Sequence, residues 1–298
     1  MYGLNTKVKN SSGWQEVDKV YGKTSGGWQQ VKRIYGKTAG GWQKTYEYEW
    51  EYTIPTGTHT NFDIDTISGI DKFHNVRIII PSGCILKASS ASYAGLYTGS
   101  GYTGKLTIVN NGIIRAMGGR GGNGGSGANT SSSANNGSNG SAGGNAIYVQ
   151  SAFTMDNNGS IIYGRGGGGG GGGGRAQASA TAKAGGGGGG GGFPDGGAGL
   201  ATYTSSGPGG NGESNATNGT AASTTANGSG GSGGYANAQG GFFGAGSTVN
   251  GGNGGAAGQS GASASGGGAN GTWFGAGGSA GANGQTYYNP YNYTITQI

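Results

Sequence analysis

The residues able to carry chemistry are few and poorly spaced for it. Only two histidines are present, His59 and His74, fifteen positions apart. Serine is abundant, yet no Gly-x-Ser-x-Gly elbow with a histidine and an acid stands out, and acyl transfer needs that set of partners. Asp63 and Asp65 lie one strand repeat apart and offer ligands to a cation, but a hard cation takes about six to eight oxygens and no fuller set is visible. Glu47, Glu49 and Glu51 alternate with Tyr46, Tyr48, Trp50 and Tyr52. In a strand that places three carboxylates on one face and four aromatics on the other; without His or Cys nearby, the acidic face reads as solvated. Gly-x-Gly-x-x-Gly matches are unavoidable in a chain with 78 glycines, and they precede no helical pattern, so a nucleotide-binding reading fails. The single cysteine, Cys84, excludes an internal disulfide framework and sits in an apolar run as a buried thiol. No enzyme, cofactor, metal site or small-molecule substrate is expected.

What remains is contact chemistry by aromatic side chains. Gly13-Trp14-Gln15 recurs as Gly27-Trp28-Gln29 and as Gly41-Trp42-Gln43, a period of 14, with Tyr21-Gly22-Lys23-Thr24 matching Tyr35-Gly36-Lys37-Thr38 in step. Such units read as short strands joined by tight turns, a β-meander. Their Trp and Tyr side chains either form a small core or present a docking surface, since these residues contribute much contact area at low entropic cost. An aromatic face for sugar or choline is a further option.

Three later units share one shape: Val76–Leu86, Leu106–Ile114 and Phe153–Ile162. Each is a strand, a turn ending in Gly, and a second strand, with Ser-Gly or Asn-Gly supplying the positive φ of the turn. Their recurrence predicts coils of a β-helix over 53–117 and 146–164.

The 298 residues hold 78 glycines, 16 in residues 1–117 and 62 in residues 118–298, roughly a quarter of the chain against a usual share of about 7%. Charged residues are 9% and hydrophobic residues 32%, which excludes an ordinary enzyme built on one large apolar core. The net charge is +6, but residues 118–298 carry only Arg120, Arg165, Arg175 and Lys183 as cations. Nucleic acid is therefore not an expected partner there. No secretory segment opens the sequence and no apolar run is long enough for a membrane helix, so a soluble protein made in a cytoplasm is expected.

Within the glycine-rich part, the non-glycine residues of Gly118–Gly127 fall every third position. Gly252, Gly255, Gly258 and Gly261, and Gly275, Gly278, Gly281 and Gly284, are also three apart; Gly166–Gly174 and Gly185–Gly192 are pure glycine. A period of three belongs to the polyproline-II type of helix, which makes no internal hydrogen bonds. Every N–H and C=O must then find a partner outside, and neighbours come close enough only where no Cβ intervenes. The pattern predicts a bundle of polyglycine-II helices with the two pure runs innermost and the third residue of each Gly-Gly-x facing water. Connectors between these runs carry Phe193, Tyr203, Tyr235, Phe242, Phe243, Trp273 and Phe274. They either cap the bundle ends or form a contact patch at one end.

Asn110-Asn111-Gly112-Ile113, then Gly118–Gly125, then Asn158-Gly159-Ser160 leading into Gly164-Arg165 and the Gly166–Gly174 run, together resemble the distal tail-fibre adhesins of T-even-like bacteriophages over about residues 106–298. The resemblance implies a polyglycine-II sandwich, variable tip loops that bind an outer-membrane protein of the host, attachment to the fibre shaft, and a virion location. The seven connector aromatics become candidate receptor contacts. Trp14, Tyr21, Trp28, Tyr35, Trp42 and Trp50 become candidate fibre-attachment residues, although the Gly-Trp-Gln repeats depart from the family's attachment region. The expected division is 1–52 for attachment, 53–117 for a β-helix-like base and 118–298 for the receptor-binding region. A polyglycine-II ice-binding protein and a structural glycine-rich surface protein are the alternatives.

Overall fold

The computed structural model describes residues 7–10, 13–16, 20–126, 134–172, 174–176, 182–184, 186–201, 216–224, 226–233, 235–238, 247–250, 252–267 and 272–298. The Gly-Trp-Gln repeats fold as three separate antiparallel hairpins: β1 (Lys7–Asn10) with β2 (Gly13–Glu16), β3 (Tyr21–Thr24) with β4 (Gly27–Gln30), and β5 (Arg33–Thr38) with β6 (Gly41–Glu47). The period of 14 is turn chemistry. Gly27 and Gly41 sit at φ of +104° and +105°, where a side chain is strained. Thr24 and Thr38 hold the two turns identically, each accepting from the glycine N–H two residues on and donating to the carbonyl three residues on.

From residue 49 the chain winds as a three-sided parallel solenoid. The first coil is β7 (Glu49–Thr53), β8 (Gly57–Thr60) and β9 (Phe62–Asp63), and the second is β10 (Asn75–Ile80), β11 (Cys84–Lys87) and β12 (Leu96–Tyr97). The third is β13 (Leu106–Asn110), β14 (Ile113–Arg115) and β15 (Ile147–Tyr148); the fourth opens with β16 (Phe153–Asn157) and β17 (Ser160–Ile162). Six short strands then lie in the glycine-rich region: β18 (Gly174–Ala176), β19 (Ala182–Ala184), β20 (Tyr235–Ala238), β21 (Ser247–Asn250), β22 (Ser265–Gly267) and β23 (Thr272–Phe274). Finally β24 (Tyr287–Tyr288) closes the fourth coil and β25 (Ile295–Gln297) begins a fifth. Alternation decides what points inward: Val76, Ile78 and Ile80 stack in register on Leu106, Ile108 and Asn110, and the first two rows continue to Phe153 and Met155. Leu86 over Ile114 and Leu96 over Ile147 fill the other two sides. Each fully buried Ile or Leu contributes about 1.5–3 kcal/mol. Asn110, also fully buried, accepts from Gly112 N and donates to Asn157 Oδ1, holding one corner of consecutive coils.

The glycine-rich segments leave this solenoid at one corner, between the second and third sides. That corner is Asn61 alone in the first coil, 88–95 in the second, 116–146 in the third and 163–286 in the fourth. The stretch 118–298 is therefore interleaved with the base, because β15, β16, β17, β24 and β25 all return to it.

The segments are joined by main-chain hydrogen bonds that recur every third residue. Gly119, Gly122 and Gly125 donate to Arg165, Gly168 and Gly171; Gly278, Gly281 and Gly284 donate to Gly170, Gly167 and Gly164. Segment 164–172 exchanges such bonds with 118–126, 134–144, 186–193, 252–258, 259–264 and 275–285. Segment 186–192 also touches six others: 118–126, 164–172, 196–201, 216–222, 228–233 and 252–258. These two are the pure glycine runs. At every described glycine in them, an added Cβ would lie closer than 3.0 Å to a neighbour's backbone.

Candidate functional site

The hydrogen-bond registers give the glycine array two distinct ends. Segment 164–172 starts beside the solenoid at Gly144 and ends at the far side beside Gly252 and Ala262. Following the alternating directions, the described segment ends at Ser126, Gly172, Gly186, Leu200, Thr217, Ser232, Gly252, Ala264 and Gly275 all fall at the far end. The turns 193–195 and 257–259 fall at the solenoid end, as do Ser223 and Ala226, which bond to each other there. At the far end β19, β18 and β23 form one small antiparallel sheet, and β20, β21 and β22 another.

Of the seven candidate contact aromatics, Tyr235, Trp273 and Phe274 are brought to this far end, on β20 and β23. Phe274 is 41% exposed. Tyr203, Phe242 and Phe243 lie outside the described residues. Phe193 departs from the grouping. It sits in a solenoid-end turn, where its N–H donates to Asn227 Oδ1 and its carbonyl accepts from Arg165 N. Just beyond it, Asp195 meets Arg115 of β14 at 3.1 Å, tying that turn to the base.

A set of side chains expected to face only water does structural work instead. Asn136, Asn139 and Asn145 accept through Oδ1 from the N–H groups of Ala276, Ser279 and Gln285, each at 2.8 Å. Asn123, Asn218 and Asn253 do the same for Leu200, Ala201 and Gly233. These N–H groups lie at the border of the array, where the backbone bond that serves interior glycines is not available, and the amide oxygen stands in for it. A sequence signal was present for three of the six, since Asn123, Asn145 and Asn253 each follow Gly-Gly.

The hairpins carry the other candidate surface. Trp28 and Trp42 are 70% and 68% exposed, and Tyr21 and Tyr35 are exposed as well. Trp28 pairs across its hairpin with Lys23, Trp42 with Lys37, and Trp14 is in the same register with Lys9. Each hairpin thus repeats one cross-strand register of Trp opposite Lys. Trp50 is different: it stacks on Tyr52 at 5.9 Å and packs half-buried against the solenoid core. The third hairpin is pinned to the base by Arg33, which donates to Glu47 Oε1 and to Phe73 O. Lys32 adds a contact over the Tyr48 ring and another to Asp71.

The isolated titratable groups serve the fold. His59 Nε2 lies 2.8 Å from Pro55 O, and His74 Nδ1 lies 2.9 Å from Asp71 Oδ2. Burial works against ionisation of Asp71, yet the hydrogen bond and charge of His74, with the Phe73 N–H and Lys32, hold its carboxyl below the usual range. Asp63 accepts from Asp65 N and caps a short 3-10 turn, while Asp65 pairs with Lys72 at 2.6 Å. Burial pushes the Cys84 thiol up, away from reactivity. Among the described residues no three His, Cys, Asp or Glu side chains gather as a metal site, and no helix is long and apolar enough to cross a membrane.

Residues 49–297 match the family model described as phage tail fibre adhesin Gp38. The chain belongs to that family. The match to the Gp38 adhesins begins at β7 and so reaches well upstream of the motifs at 106–298, while the three hairpins precede it. Among solved structures, the gp37-gp38 adhesin tip complex of the bacteriophage S16 long tail fiber aligns at 22% identity, with a TM-score of 0.41, over 85% of this chain and 79% of that one. No curated protein matches the chain. As a Gp38-family tail fibre adhesin, it is a virion tail protein whose role is attachment.

Proposed function

We propose that this adhesin recognises an outer-membrane protein on the host bacterium through the far end of a polyglycine-II bundle, and joins the tail-fibre shaft through its hairpins. One observation carries the reading. The described ends of the glycine segments and the short strands β18 to β23 lie together at the end away from the solenoid, and short turns occupy the other end. An array so built is stiff, because its contacts are backbone to backbone, and it holds those segment ends side by side. The bonding every third residue and the absence of Cβ at the contacts support threefold glycine helices. Recognition is non-covalent, with affinity from exposed aromatics and specificity from loop shape; no catalytic step is involved. The exposed Trp and Tyr of the hairpins support a docking role for them. The protein is made in the host cytoplasm and carried on the virion.

The experiment is a pull-down of the purified chain against host outer-membrane extract, with captured proteins identified and then tested singly in detergent. Trp273→Ala with Phe274→Ala should weaken capture of one integral outer-membrane protein at least tenfold while the melting temperature holds. Capture unchanged by that pair, or no outer-membrane protein captured, would count against the reading.

A further inference from the structure

The third side of the solenoid carries a ladder of tyrosines that neither the tip nor the hairpins explain. β12, β15 and β24 point Leu96, Ile147 and Tyr287 toward the core, so the next residue of each, Tyr97, Tyr148 and Tyr288, faces outward. The rings touch from coil to coil: Tyr97 stacks on Tyr148 at 5.5 Å, and Tyr288 lies tilted by 53° against Tyr148 at 5.3 Å. The corner loop 88–95 rises beside them, held by Tyr93 N donating to Ser90 O, Ala94 N donating to the Tyr97 hydroxyl, and Gly95 N donating to Ala146 O. Between loop and ladder lies a groove of about 370 Å³ lined by Ser92, Tyr93, Tyr97, Asn145, Tyr148 and Tyr288, with Ala91 and Ala94. That volume suits a small ligand.

The lining defines the ligand's chemistry. It holds no charged side chain, so neither an anion nor a cation finds a counter-charge. Tyr97 and Tyr148 each spend a face on the other, and the two exposed rings, Tyr93 at 51% and Tyr288 at 38%, offer apolar surface to a ligand. Between the rings stand a hydroxyl at Ser92 and the amide of Asn145, whose Oδ1 is already occupied by Gln285 N and whose Nδ2 remains to donate. Flat apolar faces ringed by neutral donors and acceptors match a ring with C–H groups on its face and hydroxyls on its edge. We propose that this groove is a saccharide subsite that takes an uncharged pyranose unit against the tyrosine ladder. It is separate from the far end of the glycine array, and its three rungs run along the solenoid axis from Tyr288 to Tyr97, beyond which β9 places Asp63, so a short oligosaccharide is the fitting occupant. An adhesin with such a flank holds surface glycan while its tip engages a receptor.

The test uses the full chain and a panel of neutral gluco- and galacto-oligosaccharides, read by saturation-transfer NMR and then titrated. Binding of at least one should appear in the millimolar range or tighter, with saturation greatest on ring C–H protons. The pair Tyr93→Ala with Tyr288→Ala should weaken it tenfold or more, Tyr288→Phe should retain it, and Trp273→Ala with Phe274→Ala should leave it unchanged. Tyr93 and Tyr288 are exposed, and a melting curve like that of the unaltered chain verifies the fold. The proposal is overturned if no neutral oligosaccharide binds, if binding survives the tyrosine pair, or if only charged sugars or planar aromatics bind. Capture of an outer-membrane protein by the tip does not depend on this result.

Discussion

Replacing Gly170 by Ala adds one methyl group to the centre of the glycine array. Its N–H donates to Ser138 O at 2.9 Å and its carbonyl accepts from Gly278 N at 2.7 Å. The new Cβ would lie closer than 3.0 Å to Asn123 O and C and to Gly124 N, all backbone atoms, so segment 118–126 must retreat by about an ångström or more. The two rungs flanking the site, Gly122 N to Gly168 O and Gly125 N to Gly171 O, are both 2.8 Å, and such a retreat takes them beyond hydrogen-bond range. Each broken rung leaves buried groups unpaired at about 1–3 kcal/mol, so two give roughly 2–6 kcal/mol. Against a total stability of about 5–15 kcal/mol that is a large loss, equivalent to a fall in melting temperature of roughly 5–20 °C. Gly197→Ala is the matched control, since a Cβ there meets only Arg120 Cγ at 3.6 Å and Cδ at 3.9 Å. It should be neutral or gain up to about 1 kcal/mol from a less flexible unfolded chain. Thermal unfolding measures both, and amide exchange at Gly122 and Gly125 localises the damage. If the two variants melt together and exchange at those glycines is unchanged, backbone contact is not what holds the array.

Asn139→Ala removes the acceptor of Ser279 N at an exposed border and should cost about 0.5–1.5 kcal/mol, while Asn139→Asp keeps an acceptor and most of the stability, both read by melting. Trp28→Ala with Trp42→Ala should leave folding within about 0.5 kcal/mol, because both side chains are exposed, and should abolish co-purification with the fibre shaft protein; retained assembly would remove the hairpins from that role. The Asp71 carboxyl is held below its ordinary value in the folded chain, so its contribution is present above about pH 4 and is lost as pH falls through the lowered folded value. Asp71→Asn should therefore flatten the acid limb of a melting-temperature profile below about pH 4, and an unaltered limb would show that the His74–Asp71 pair contributes nothing measurable.

Much of the local order was written in residue types. The Ser-Gly and Asn-Gly corners announced solenoid turns, but the expected positive φ holds only at Gly83; Gly112 and Gly159 are needed because an added Cβ would lie closer than 3.0 Å to the backbone of the preceding coil. The alternation of 46–52 announced a strand with Trp50 and Tyr52 on one face. The pure glycine runs had to lie where neighbours crowd most closely, and the two that do each exchange bonds with six others. The partners of each segment were not legible. A glycine run excludes nothing, so absence of Cβ permits contact on every side without naming the neighbour, its direction or its register. Only the closed array decided that Phe193 turns at the base while Trp273 and Phe274 reach the far end. Only it decided that border asparagines complete the bonding, and that the glycine-rich stretches issue from one corner of successive coils. The tyrosine groove has the same origin. Tyr93, Tyr148 and Tyr288 are far apart along the chain, and the parallel winding of the solenoid is what stacks their coils within one ring's reach.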